Sequence, residues 1–270
     1  YASVVPFVLG GSDGMKIIHV WFKDAADTVS KAARDSIILD TTPPDTIITS
    51  APANPSNTTT VNVLFRSTEP GTVFQCSLDS GAYAVCASPH SYLGLVEGPH
   101  TIDVKAVDTA GNIDPVPERY MWSVDTTPPE SMITGRPFDF TNSMEADFLF
   151  TSTEPSSTFR CSLDSGAYAP CNSPQSYSGL AEGHHTIDVR AIDAAGNIEP
   201  IPVRVVWTID LTPPNTAITG QPPYTTNSTT DSFIFSSTKA GSTFQCQLDD
   251  NVYAKCSPPH SYAGLAAGPH

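Results

Sequence analysis

The sequence predicts an all-β chain made of small two-sheet sandwiches repeated in tandem. Three observations predict it: a fixed repeat, a hydrophobic period of two, and turn residues between all the short apolar runs. Cys76, Cys161 and Cys246 stand 85 residues apart, and so do Cys86, Cys171 and Cys256. Asp40-Thr-Thr-Pro-Pro, Asp125-Thr-Thr-Pro-Pro and Asp210-Leu-Thr-Pro-Pro keep the same step, as do Gly98, Gly183 and Gly268. A constant period over most of a chain marks a repeat architecture. Val61, Val63 and Phe65 alternate with polar residues, as do Phe74, Cys76 and Leu78, and Ile102, Val104 and Ala106. Such alternation, in runs split by Pro, Gly, Asn and Ser, is the pattern of half-buried strands. About seven strands per repeat make a sandwich of two sheets. In the first repeat they are expected near 45–50, 60–67, 72–78, 82–86, 90–93, 101–108 and 119–124. Residues 24–34 read as an inter-strand loop rather than a helical turn.

The repeats set the domain boundaries. Residues 41–125 and 126–210 are complete repeats, and 211–270 is a third that lacks its last two strands. Residues 1–40 match the opposite end of a repeat: Ile18-His-Val-Trp-Phe-Lys-Asp24 parallels Ile102-Asp-Val-Lys-Ala-Val-Asp108. They are expected to be the C-terminal part of a related, divergent sandwich. The strands around Ile18, Val20 and Phe22 then need partners from outside 1–40. Head-to-tail strand complementation between chains would complete both ends and grow a filament; covalent neighbours in a longer chain complete them more simply. Tyr1 and the lack of a visible signal peptide suggest a processed or excised piece.

Composition excludes several classes of function. The 270 residues carry 13 Lys+Arg against 28 Asp+Glu, a net charge of −15. No basic surface is available to neutralise nucleic-acid phosphates or dock on anionic lipid. No apolar run reaches the length of a membrane span, so no membrane insertion is expected. The acidity lies in the two complete repeats, −6 over 41–125 and −7 over 126–210, against −1 over each end piece.

Each complete repeat holds two cysteines with nine residues between them and a Leu-Asp-Ser-Gly turn signal in the middle. Disulfides Cys76–Cys86, Cys161–Cys171 and Cys246–Cys256 are expected, each inside its own repeat. Closing so short a loop contributes about 2–3 kcal/mol in the chain-entropy model. The competing metal site is poor, because no His accompanies the thiols consistently: His90 and His260 become Gln175 in the second repeat. Disulfides imply an oxidising compartment.

The runs TFxCSLDSGAYxxC, SPxSYxGLxxGxHTIDVxAxDxAGNI and DTTPP resemble those of bacterial Ig-like tandem repeats in large secreted and cell-surface proteins, such as adhesins and stalks. The likeness covers 41–270, and it departs from AGN at Ala26-Asp27-Thr28. It implies tandem Ig-like or fibronectin III-like sandwiches arranged as an extended rod, outside a bacterial cell. The spacing of the cysteines is too short for the disulfide of antibody-type domains.

Catalysis is not expected. Residues that would build a triad change between repeats, as His90 to Gln175, Pro99 to His184, and Glu69 and Glu154 to Lys239. No nucleophile elbow, zincin motif or phosphate loop is present.

Calcium is the one cofactor the residues suggest. Asp40 and Asp45 in the linker, Glu69 after the second strand, and Asp108 and Asn112 after the sixth are expected at one pole of the first sandwich. The second repeat returns the set as Asp125, Glu130, Glu154, Asp193 and Asn197. A cluster of oxygen ligands with no softer donor suits calcium, which takes six to eight oxygens. The alternative is an acidic, turn-rich surface that needs no ion. Lys239 makes the third copy the weakest.

Tyr83, Tyr92, Tyr168, Tyr177, Tyr253 and Tyr262 recur at equivalent positions, either packed over the core or free to stack on a surface glycan. Trp122 and Trp207 are expected in the core or as interdomain anchors. Asn57-Thr-Thr and Asn227-Ser-Thr fit the N-glycosylation pattern. The Thr-Thr-Pro-Pro linkers are short, and Pro stiffens them toward an extended conformation. The expected function is a non-catalytic extracellular stalk or fibre. The alternatives are an adhesin module that binds a glycan or protein, and a passive spacer attached to an enzyme elsewhere.

Overall fold

The computed structural model describes residues 6–270; residues 1–5 of the piece expected at 1–40 lie outside the described residues. Every regular element among the described residues is a strand or an isolated bridge. Gly14–Val20 (β1) and Ala33–Leu39 (β2) form a two-stranded antiparallel sheet. The next seven strands are Thr46–Ser50 (β3), Val61–Ser67 (β4), Val73–Leu78 (β5), Ala84–Cys86 (β6), His90–Tyr92 (β7), Gly98–Val107 (β8) and Glu118–Val124 (β9).

These seven make a three-on-four sandwich, with one sheet in the order β3-β4-β7 and the other β6-β5-β8-β9. Alternation decides which side faces in. Val61, Val63 and Phe65 are buried on β4, while Asn62, Leu64 and Arg66 between them are exposed. Ile102, Val104, Trp122 and Val124 close the core from the other sheet, none of them more than 2% exposed. Fully burying a side chain of this size stabilises by about 1.5–3 kcal/mol. On the outer side Asp103 takes a bidentate pair of hydrogen bonds from Arg119, at 2.6 and 2.9 Å.

The strand set returns at the sequence period. Thr46–Ser50 is followed by Ser131–Gly135 and Thr216–Gly220, and Val61–Ser67 by Ala146–Ser152 and Thr230–Ser237. Ala146, Phe148 and Phe150 take the places of Val61, Val63 and Phe65. Cys76–Cys86, Cys161–Cys171 and Cys246–Cys256 are bonded, which leaves no thiol free for a zinc site. Each disulfide joins two paired strands of one sheet, as Phe74 opposite Cys86 and Cys76 opposite Ala84 show.

By its internal contacts the chain divides into two compact units. The first runs to Arg136 and adds Asp147–Ser176 and Thr186–Val206; the second is Pro137–Ala146, Tyr177–His185 and Trp207–His270. Both acidic clusters described below lie in the first.

The N-terminal hairpin departs from one expectation. Its strands pair with each other, and no other strand among the described residues joins them. Val20, Phe22 and Ile37 are therefore 46%, 70% and 51% exposed rather than buried in a sandwich.

Candidate metal centre

The first cluster is assembled by three segments. Asp40 follows β2, Glu69 follows β4, and Asp108 follows β8. One carboxylate oxygen from each lies within 4.8 Å of the others. The loop after β8 is shaped by its own acid: Asp108 Oδ1 accepts the backbone N–H groups of Gly111 and Asn112 at 2.7 and 2.8 Å. Gly111 sits at φ +95°, where an L side chain would be strained. Asn112 Nδ2 then donates to Asp108 Oδ2 at 2.7 Å and to the Asp40 carbonyl at 3.1 Å, tying loop to linker.

The second cluster repeats the first with Asp125, Glu154 and Asp193, again within 4.8 Å. Asn197 Nδ2 bonds Asp193 Oδ2 at 2.7 Å and the Asp125 carbonyl at 2.8 Å. Asn112 and Asn197 thus brace the clusters with their amide nitrogens. Asp45 and Glu130 do not join them; both are exposed, and their backbone N–H groups bond Thr68 and Thr153 instead.

Both linkers are fixed on two sides. Thr41 and Thr42 hydroxyls donate to the two oxygens of Asp13, each at 2.7 Å. Thr126 and Thr127 do the same to Glu97 at 3.1 and 2.6 Å. Pro44 and Pro129 are fully buried. The acid that holds the threonines was not singled out in the sequence, although Asp13, Glu97 and Glu182 each stand one residue before a glycine of the repeat signature.

Three carboxylates this close repel one another. Two like charges at ~4 Å cost about 1 kcal/mol in water and about 4 kcal/mol at an effective permittivity of 20. Loss of solvent, then the charges of Asp40, Asp108 and Asp13, push the Glu69 carboxyl above its ordinary range. Glu154 is raised by burial and then by Asp125, Asp193 and Glu97. Burial opposes ionisation of Asp108, yet hydrogen bonds from Asn112, Gly111 and Ala110 hold its pKa below the usual value. Each cluster therefore holds a Glu that resists ionising, and in the first cluster it faces an Asp held ionised by its own loop. The donor set is all oxygen and fits a hard divalent cation such as calcium, which gathers carboxylate and carbonyl oxygens.

The third copy is built differently. Lys239 stands where Glu69 and Glu154 do, and its Nζ donates to Asp210 Oδ1 at 2.5 Å, to Asp210 Oδ2 at 2.6 Å and to the Thr212 carbonyl. The ammonium holds Asp210 below the usual carboxylate range.

The aromatic candidates separate. Tyr92 packs against the core. Tyr83 and Tyr168 stand just before the short strands Ala84–Cys86 and Ala169–Cys171, with Lys105 and Arg190 seated over their rings at 4.1 and 4.0 Å. Trp122 and Trp207 are buried. No helix among the described residues is long and apolar enough to cross a membrane.

No family model matches the chain. No curated protein matches it either. Solved structures do. Fibronectin(III)-like modules of Clostridium thermocellum CbhA match at 16% identity and a TM-score of 0.40, over 61% of this chain and 93% of theirs. A 1.5-MDa bacterial ice-binding adhesin matches at 16% identity and 0.35, over 74% of this chain and 76% of its own. A tetra-tandem repeat from the extending region of a large adhesion protein matches at 15% identity and 0.28, over 94% and 74%. These are likenesses of fold.

Proposed function

We propose that the chain is a non-catalytic, extracellular structural or adhesive segment, in which Ig-like sandwiches follow one another as a stiff rod and calcium closes the joints. The repeats 41–125 and 126–210 are its complete domains, with parts of two more at 1–40 and 211–270. The observation that carries this reading is the acid trio, set identically at two successive linkers. At each linker Thr hydroxyls bond an acid on one side and an Asn bonds the linker carbonyl on the other. A divalent cation would relieve the repulsion within each trio and bind linker, second-strand loop and sixth-strand loop together.

Lys105 and Arg190 occupy the faces of Tyr83 and Tyr168, so the sheet offers no open aromatic platform there; this favours a structural over a glycan-binding role. The hairpin Gly14–Leu39 has the register of β8–β9 and reads as the last two strands of a sandwich. The third repeat has a cleft of about 250 Å3 lined by Ile218, Phe233, Phe235, Phe244 and Leu248, whose apolar lining would suit a strand pair of that pattern. Such a pair can be supplied along the chain or by a second copy.

The test is thermal unfolding and small-angle scattering of the chain in millimolar calcium and in chelator. The reading expects a higher Tm, by mass action on the folded state, and a larger maximum dimension in calcium. Identical curves in both conditions would remove calcium from the joints.

A further inference from the structure

We infer that Lys239 is a built-in cation, so that the linker at 210–215 is held without metal while those at 40–45 and 125–130 depend on it. This rests on the calcium reading for the first two linkers and on the lysine geometry alone for the third. Lys239 follows the strand Thr230–Ser237, at the position of Glu69 after β4 and Glu154 after Ala146–Ser152. Its side chain is 31% exposed, partly withdrawn from solvent. All three hydrogens of an ammonium have acceptors here: two carboxylate oxygens of Asp210 and the carbonyl of Thr212.

Asp210 is the counterpart of Asp40 and Asp125, so the ammonium meets the same linker acid that a cation would meet in the other two copies. The contact also reaches past the acid, to the backbone two residues on. Asp210 Oδ1 in turn accepts the Thr212 N–H at 3.2 Å, as Asp40 and Asp125 do for Thr42 and Thr127. The third linker needs this support more than the others. Leu211 replaces Thr41 and Thr126, which leaves one hydroxyl, that of Thr212, on the acid Glu182. A lysine contributes a fixed charge that neither chelation nor dilution removes. The consequence is a chain whose joints answer to calcium one by one, according to whether Glu or Lys follows the second strand.

Hydrogen exchange of the full chain, read at the amides of the three linkers in calcium and in chelator, tests this. The wild type is expected to show linkers 40–45 and 125–130 exchanging about tenfold faster in chelator, with 210–215 unchanged. Lys239→Met should speed exchange at Leu211, Thr212 and Asn215 several-fold in both conditions. Protection of Phe244–Cys256 serves as the control that the repeat is still folded. Glu69→Lys should make 40–45 indifferent to chelator while 125–130 stays sensitive. Unchanged exchange at 210–215 in Lys239→Met, or a 40–45 linker still calcium-dependent in Glu69→Lys, would overturn the inference. A wild type in which no linker responds to calcium would instead overturn the calcium reading, and the Lys239→Met arm would still judge the lysine.

Discussion

Hairpin β1–β2 and hairpin β8–β9 are the same local structure in two surroundings. Gly14 pairs with Leu39 as Gly98 pairs with Val124, and both glycines sit at φ +122°. Asp24 shapes its loop through the N–H groups of Ala26 and Thr28, as Asp108 does through Gly111 and Asn112. Asp27 stands at φ +63° where the other loop has Gly111. Yet Ile102 and Val104 are fully buried, and Val20 is 46% exposed. Strand, register and turn therefore form without a partner sheet, whereas burial requires one.

The largest expected effect follows from that difference. Ile102→Ala should cost about 2–5 kcal/mol, because it leaves a cavity in a filled core. Val20→Ala should cost less than about 1 kcal/mol, as at an exposed site. Urea unfolding of both variants measures this. Equal losses would mean that the hairpin is buried in solution after all.

His100 and Lys16 sharpen the comparison, since they share one place in the two hairpins. Lys16 Nζ donates to the carbonyl four residues back, Ser12 O, at 2.7 Å. His100 Nε2 meets the carbonyl of Val96 at 2.8 Å, and its Nδ1 meets Asp79 Oδ2 at 2.8 Å. A carbonyl only accepts, and so does an ionised carboxylate, so these two partners favour the protonated ring. Burial opposes its charge, but the Val96 carbonyl and then Asp79 raise its pKa above the ordinary value. A raised folded-state pKa means the native repeat binds more protons than the unfolded chain. Its contribution to stability is complete below about pH 6.5 and is lost as pH rises through the folded value. Stability of the first repeat, measured by urea unfolding at about pH 6 and about pH 8, should fall across that range. His100→Lys should flatten the fall. A wild type with no slope there would contradict the charged ring.

The smallest effect expected is at Glu69. Its raised pKa means that ionising it costs native stability as pH climbs from the ordinary carboxylate range through its folded value. In chelator Glu69→Gln should gain slightly in stability, a small effect because solvent screens these charges. In calcium it should lose stability. The same sign in both conditions would separate Glu69 from any bound cation.

Much of the site was legible because its parts recur at a fixed step. The recurrence of Asp40, Glu69 and Asp108 as Asp125, Glu154 and Asp193 picked out the carboxylates that meet. It also drew in Asp45 and Glu130, which are near in sequence but point elsewhere. Position within a linker does not say which way a side chain turns. The acids that hold the linker threonines escaped notice, because Asp13 and Thr42 are 29 residues apart and only strand pairing brings them together. The buried acid pairs escaped for a related reason. In the first repeat Asp114 accepts the Thr46 N–H, and Thr46 Oγ1 accepts the Ala106 N–H. In the second, the longer Glu199 reaches both Ser131 and the Ala191 N–H itself. The two changes compensate, and neither is informative until the chain is folded.

By itself the sequence determined the strands, the turns, the repeat length and the cysteine partners, because period-two patterning, glycine and proline act over a few neighbouring residues. Only the tertiary structure decided which acids converge, which tyrosines are capped, and that a lysine ammonium occupies the third cluster. Those contacts join segments 22 to 72 residues apart, as between Lys105 and Tyr83 or Asn112 and Asp40. Their distances are set by how two sheets stack and where the linker is pinned, which no local pattern encodes.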